Sequence, residues 1–363
     1  MGKKLLMKGN EALAEAAIRA GLKGYFGYPI TPQSELLEYL ANELPKRGGA
    51  FVQAESEVAA INMVYGAAGT GERAMTSTSS PGFSLMQEGI SYIACAELPC
   101  LLVNVVRGGP GLGTIQPSQG DYFQAVKGGG HGDYKMIVLA PNSVQEMADF
   151  VYLGMDLADL YRNPVCILAD GALGQMMESV EFPEYNIEDH KVDHSSWTTR
   201  GRLNGRDQHY ITSLYLDPEK MERINQGLQK KYQIIKEKEV HFETTETEDA
   251  DYAIIAFGLT SRSALKALEL ARAQGLKIGL LRPQTLFPFP VTAIQELARQ
   301  VKGLLVVEMN AGQMVEDVRL AVNGETPVEF YGRMGGMIPQ PEDILEEITK
   351  LINVSTDQMG KDS

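Results

Sequence analysis

The apolar positions of the chain fall into two alternating patterns. Short runs with little polar interruption occur at Ala50 to Gln53, Ala74 to Thr78, Leu101 to Val106, Met136 to Leu139 and Val165 to Leu168. Between them lie longer stretches whose apolar residues recur every three or four positions, such as Leu36, Leu37, Leu40 and Leu44 in Gln33 to Leu44. The first kind reads as buried strand and the second as amphipathic helix. Glu11 to Ala20 is Ala-rich, with an expected cap at Asn10 and a stop at Gly21; Ser56 to Ala68 and Phe83 to Ala96 are further helices. Ser143-Val-Gln-Glu146 carries a capping-box signature for a helix running to about Tyr161. Strands that alternate with helices of this length predict an α/β fold with a parallel, doubly wound sheet, whose ligands collect at the carboxyl ends of the strands.

The alternation breaks between Pro183 and Asp249. This stretch is polar, holds His190, His194 and the single Trp197, and ends in a Lys- and Glu-rich helix with Ile224, Leu228, Tyr232 and Ile235 on one stripe. Mixed charges make it a solvated connecting element. The pattern then resumes, with strands at Ala253 to Phe257, Lys277 to Leu281, Leu304 to Glu308 and Val328 to Tyr331. Helices follow at Ser261 to Ala273, Val291 to Val301 and Pro341 to Ile352. The expected organisation is a first α/β domain over 1–182, a polar linker over 183–249, a second α/β domain over 250–353 and a frayed tail over 354–363.

With 363 residues, 44% of them hydrophobic, the chain is long enough for two such cores. It holds no apolar run of about 18 residues and no secretory h-region, so a cytoplasmic location and no membrane are expected. A net charge of -14 argues against nucleic acid and anionic membrane surfaces as partners. Cys95, Cys100 and Cys166 lack CxxC spacing and cannot supply the four thiolates of an iron–sulfur cluster. The five histidines show no paired spacing, and no metal site is expected on this chain. Gly258-Leu-Thr-Ser261, after a strand, reads as a turn opening a helix whose N-terminus suits an anion.

The candidate chemistry gathers after the strands. Tyr25 to Pro32 ends a strand in a Gly-Tyr-Pro turn, with Thr31 expected as a helix N-cap and Pro32 at the first helical position. Glu55 and Glu57 arrive at the start of the next helix, where a carboxylate also suits the macrodipole. Tyr28 to Thr31, Glu57, Ser79 to Gly82 and Arg107 all fall just after strands, on one edge of one sheet. Arg107 offers the planar fork that a carboxylate accepts bidentately, or else caps a strand end at the surface.

These residues sit in a series of motifs. Tyr28-Pro-Ile-Thr-Pro32, Glu55-Ser-Glu57 with the Val-Ala-Ala-Ile-Asn-Met-Val-Tyr-Gly-Ala run after it, and Ser80-Pro-Gly-Phe-Ser-Leu-Met-Gln-Glu-Gly89 come first. Arg107-Gly-Gly-Pro-Gly111, Gln119-Gly-Asp121, Gly130-His-Gly-Asp133 and Gly332-Arg-Met-Gly-Gly336 follow in order. Together they resemble the alpha-type subunit of 2-oxoacid:ferredoxin oxidoreductases over nearly the whole chain. The resemblance implies two doubly wound parallel-sheet domains: a thiamine diphosphate-binding fold of the pyrimidine type, then a transketolase C-terminal-like domain. It implies that Glu57 hydrogen-bonds N1′ of the aminopyrimidine, with Glu55 ranked second. Thr31 would stand near the thiazolium and the substrate, and Arg107 would take the 2-oxoacid carboxylate. Tyr28, Pro29, Ile30, Ser80 and Gly82 would line the cofactor.

The Gly-Asp-Gly motif that anchors diphosphate and magnesium in the family is missing: Asp170-Gly171 follows Ala, and Gly132-Asp133 precedes Tyr. The resemblance therefore implies a partner beta-type subunit bringing diphosphate and Mg, a gamma-type subunit, and a ferredoxin-like cluster subunit carrying the iron–sulfur clusters. The implied reaction is oxidative decarboxylation of a 2-oxoacid with CoA to an acyl-CoA, reducing ferredoxin. The layout is closest to subunits acting on 3-methyl-2-oxobutanoate, with 2-oxoglutarate as the alternative. A non-catalytic scaffold subunit that kept the fold, and a self-sufficient transketolase-type dimer, are the readings from other classes.

Overall fold

The structure, a computed structural model, describes residues 4–201, 205 and 207–359. The first half runs β1 (Leu5–Lys8), α1 (Gly9–Arg19), β2 (Gly24–Gly27), α2 (Ser34–Glu43), β3 (Ala50–Gln53), α3 (Glu57–Ala68), β4 (Ala74–Thr78), α4 (Ser80–Cys95), β5 (Cys100–Val106), β6 (Ile137–Leu139), α5 (Val144–Tyr161), β7 (Pro164–Asp170), α6 (Gly171–Gln175) and β8 (Met177–Val180). The second runs α7 (Pro218–Lys238), β9 (Phe242–Thr245), β10 (Tyr252–Ile255), α8 (Gly258–Ala273), β11 (Ile278–Pro283), β12 (Thr285–Phe287), α9 (Val291–Gln300), β13 (Leu304–Glu308), α10 (Met314–Val322), β14 (Val328–Gly332) and α11 (Pro341–Met359).

A seven-stranded sheet has the order β12-β6-β7-β5-β4-β2-β3, parallel throughout except for β12, which runs antiparallel to β6. A five-stranded sheet has the order β14-β13-β10-β11-β9, parallel except for β9. β1 and β8 pair by themselves. Every residue of β5 and β7 is buried, as parallel strands covered by helices on both faces require, and this is why they read as mainly apolar runs, broken only by Asn104 and ended by Asp170. In α1 the alanines 12, 14, 16 and 17 are fully buried, and their small side chains let the helix lie close against α5 and α2.

In each sheet one strand pair marks a change of direction. β2 has β3 on one side and β4 on the other, so the loops that follow β2 and β4 diverge and open a crevice at their carboxyl ends. β10 stands in the same relation to β11 and β13.

Several local expectations are corrected. Thr31 does not cap a helix. Its bond to Pro32 is cis, and α2 opens only at Ser34, because Gln33 turns its side chain into the core rather than continuing a helical stripe. Asn10 lies inside α1, which starts at Gly9, and its Nδ2 donates to the Pro32 carbonyl at 2.8 Å. The capping box of α5 forms differently at one end: Ser143 Oγ accepts from Glu146 N at 3.1 Å, while the Glu146 carboxylate returns to Asn142 N at 2.8 Å and grips Arg282. The charged helix α7 is not solvated all round, since its stripe Leu228, Tyr232 and Ile235 is buried and Lys231 Nζ reaches Glu97 at 3.1 Å.

Candidate functional site

The crevice of the first sheet collects the expected residues. Glu57 opens α3 beneath the N-cap Ser56, whose hydroxyl accepts from Ala59 N at 3.2 Å. Its side chain turns inward and is 5% exposed, whereas Glu55 is exposed, and this separates the two carboxylates. Across from it stands the first turn of α4. A Cβ added at Gly82 would lie 2.4 Å from Glu57 Oε1 and 2.1 Å from Thr78 Oγ1, so only glycine lets that turn approach the carboxylate. Among the described residues the Glu57 carboxylate has no hydrogen-bond partner, and Ser79 Oγ nearby in the chain is buried and also unpartnered. A buried acid without a partner is costly, and such groups call for a functional explanation.

Arg107 follows β5 and is held at three points. Ser80 Oγ accepts from its backbone N at 3.1 Å; Nη1 donates to the Thr31 carbonyl and Nη2 to the Leu112 carbonyl, each at 2.9 Å. The two carbonyls set the plane of the guanidinium, and its Nε is buried without a partner. Thr31 and Pro29 are exposed, Ile30 is half-buried and Tyr28 is 38% exposed, so the turn presents its surface outward. Behind it runs a chain of buried groups that sequence reasoning missed. Tyr25 OH meets Ser77 Oγ at 2.6 Å, Ser77 Oγ donates to Gln33 Oε1 at 2.7 Å, and Gln33 Nε2 donates to the Tyr28 carbonyl at 3.3 Å. All three side chains are fully buried, and they fix the turn from within.

Two further acids line the carboxyl edge. Burial raises the Asp121 carboxyl, opposed by hydrogen bonds from Ser80 and from Asn104, whose Nδ2 lies 2.8 Å away. Burial pushes Asp170 up to about 6, against two backbone N–H groups, of Ala172 and Leu173, that favour its anion. No group of three His, Cys, Asp or Glu side chains that could hold a metal is found among the described residues.

The crevice of the second sheet is filled. Gly258 (φ 54°) opens α8, and the carboxamide of Gln119 lies beside it. Gln119 Nε2 donates to the Phe257 carbonyl at 2.7 Å, and Oε1 accepts from Thr260 Oγ1 and Met309 N, both at 2.9 Å. Its backbone is used as well: N donates to the Met309 carbonyl at 3.0 Å, and O accepts from Asn310 Nδ2 at 2.9 Å. Gln119 thus packs against the expected Gly258 to Ser261 turn, bonding the Phe257 carbonyl and the Thr260 hydroxyl rather than the backbone N–H groups that open α8.

Two doubly wound sheets with an acid buried in the first crevice match the thiamine diphosphate-binding architecture that the resemblance implies. Residues 15–253 match the family described as pyruvate flavodoxin/ferredoxin oxidoreductase, thiamine diphosphate-binding, and residues 250–344 match pyruvate:ferredoxin oxidoreductase core domain II. The chain belongs to the 2-oxoacid:ferredoxin oxidoreductase family, among its alpha-type subunits. It is 51% identical to the ketoisovalerate oxidoreductase subunit VorB of Methanothermobacter marburgensis, over 97% of this chain and 99% of that one. It is 39% identical to the 2-oxoglutarate synthase subunit KorA of the same organism, over 96% and 99%. Among solved structures it is similar to 2-oxoglutarate:ferredoxin oxidoreductase from Magnetococcus marinus with 2-oxoglutarate, coenzyme A and succinyl-CoA bound. That likeness has a TM-score of 0.85 at 30% identity, covering 96% of this chain and 65% of the other. A split-gene transketolase shares the fold at 15% identity and a TM-score of 0.58, over 96% of this chain and 98% of that one. Among the described residues no helix is long and apolar enough to cross a membrane.

Proposed function

We propose that the chain is the subunit that brings the aminopyrimidine half of a thiamine diphosphate site to a 2-oxoacid:ferredoxin oxidoreductase. The reaction converts a 2-oxoacid and CoA to an acyl-CoA and carbon dioxide, and the electron pair passes to ferredoxin. The observation that carries this reading is Glu57: a buried side chain at the switch-point crevice whose carboxylate has no hydrogen-bond partner among the described residues.

The residues fit the cofactor half assigned to them. Glu57 offers an acceptor for a ring nitrogen, and glycine at position 82 lets the first turn of α4 close tightly against the carboxylate. When bound, thiamine diphosphate supplies a carbanion-stabilising centre. With the cofactor bound, Glu57 would share a proton with the ring nitrogen. Tyr28, Pro29, Ile30 and Thr31 would line the cofactor from the turn after β2, and Ser80 with Gly82 from the first turn of α4. Arg107, preset by two carbonyls, turns its remaining N–H groups to the substrate carboxylate, and Thr31 offers a hydroxyl beside it. No Gly-Asp-Gly motif exists in this sequence, so diphosphate and magnesium fall to a beta-type subunit. The gamma-type and cluster-bearing subunits complete the complex, in the cytoplasm.

The substrate favoured is 3-methyl-2-oxobutanoate. Its support is the 51% identity to a ketoisovalerate subunit and the loop beside Arg107, which exposes Leu112 at 78% and Ile115 at 57%, apolar groups suited to a branched chain. The 39% identity to KorA keeps 2-oxoglutarate as the second reading. Ferredoxin reduction by the complete complex with each acid decides between them: kcat/KM is expected to be higher with 3-methyl-2-oxobutanoate, and the reverse order overturns the assignment.

A further inference from the structure

Gln119 is saturated with hydrogen bonds and lies on the same loop as Arg107. That loop leaves β5 at Arg107 and folds back on itself through the Arg107–Pro117 bridge, the Gly108 N to Gln116 O bond at 2.9 Å and the Thr114 N to Gly108 O bond at 2.8 Å. Its tip returns the Leu112 carbonyl to the Arg107 guanidinium. Its far end does not rest on the first sheet. Ser118 Oγ donates to the Met309 carbonyl at 3.2 Å, and Gln119 fills the carboxyl-end crevice between β10 and β13. With 3% exposure and partners on four residues of the second unit, Gln119 is the most constrained point of the loop. The loop that follows β14 also touches the Arg107 loop directly: a Cβ at Gly108 would lie 2.9 Å from Gly336 N, and one at Gly336 would lie 2.4 Å from Gln116 Cβ.

The geometry points to Gln119 as a positioning residue for substrate binding: it anchors the Arg107 loop in the second sheet's crevice and so sets where the Leu112 carbonyl holds the guanidinium. The second unit then serves the 2-oxoacid carboxylate through this joint. The inference rests on the reading of Arg107 as the carboxylate anchor. A free loop would leave Arg107 with the Thr31 contact alone, and substrate would have to order the loop on binding.

The experiment uses the complete co-expressed complex and ferredoxin reduction as readout. Gln119→Met keeps the length of the side chain and removes its donor and acceptors. The expected result is a KM for 3-methyl-2-oxobutanoate raised about tenfold, kcat within about threefold of the parent and an unchanged KM for CoA, the pattern of lost uniform binding. Thr260→Val removes one bond from the other side of the joint and is expected to raise the same KM about two- to threefold, with Thr260→Ser restoring it. In an Arg107→Ala background neither change should raise KM further. An assembled Gln119→Met complex with parental KM overturns the proposal. If that variant does not assemble, parental KM in Thr260→Val overturns it. Arg107→Ala with parental KM sinks the reading of Arg107 beneath it, a different failure from silent Gln119 and Thr260 variants beside an impaired Arg107→Ala.

Discussion

The two sheets have crevices of the same topological kind, and they are used in opposite ways. In the first, between β2 and β4, Glu57 is buried and its carboxylate has no hydrogen-bond partner among the described residues. In the second, between β10 and β13, Gln119 arrives from the other unit and its carboxamide is bonded at both ends. A doubly wound sheet creates a cleft for free, but only unsatisfied groups in it leave something for a ligand to gain. The filled cleft is a joint, and the unsatisfied one is where we place the cofactor.

The sharpest way to break this contrast is at Glu57. Glu57→Gln keeps size and burial but cannot hold the proton, so turnover of the complete complex should fall by about 10²–10⁴-fold. The same variant should unfold no earlier than the parent in a thermal melt, since a buried unpaired acid stabilises nothing. Undiminished turnover would make the first crevice as passive as the second. Next in size is Arg107→Ala, expected to raise KM for the 2-oxoacid about 10–100-fold, the loss of charge-assisted hydrogen bonds to a carboxylate. On the joint side, Gly258→Ala places a Cβ 3.2 Å from Gln119 Nε2 at φ 54°. It should destabilise the chain by about 1–2 kcal/mol in chemical unfolding, while turnover at saturating substrate stays near the parent's.

The smallest effect is electrostatic. Asp170 lies against the joint, lining a small recess with Gln119, Phe257 and Gly258. Burial pushes its carboxyl up to about 6, above its ordinary value of 3.8, so its acid form suits the fold. Its contribution is therefore complete below the lower value and is lost as pH rises through the upper one. Asp170→Asn keeps a cap acceptor without the charge. Its stability relative to the parent should grow between pH 4 and pH 6, by at most about 3 kcal/mol. A difference between the two that stays flat with pH would remove Asp170 from this account.

Much of this was legible in residue order, for a physical reason. Parallel strands buried on both faces are largely apolar, so β5 and β7 announce themselves, and the candidate site residues follow because they stand just past strand ends. What escaped is what depends on partners far along the chain. α10 has no local cap, since its first N–H groups are taken by the Glu308 carboxylate at the end of β13, with Met314 N at 2.8 Å. Thr31-Pro32 carries a good capping signature, yet Gln33 finds Ser77 in the core and moves the helix start. β9 and β12, four and three residues long, sit at sheet edges and show too little alternation to register. Gln119 reads as an ordinary loop residue, and no local periodicity connects it to Phe257, 138 positions on.

The edge strand β12 also dictates how the molecule can be dissected. It follows β11 of the second sheet directly, yet it closes the border of the first by pairing with β6. Cutting the polypeptide anywhere between residues 183 and 284 would strip β6 of that neighbour. Ile137, Val138 and Leu139 would then present an apolar row of unclaimed backbone groups, an invitation to other copies of the same fragment to stack on it. Fragments meant to yield a soluble half would polymerise instead, and only a piece that retains Thr285–Phe287 keeps its hem sewn.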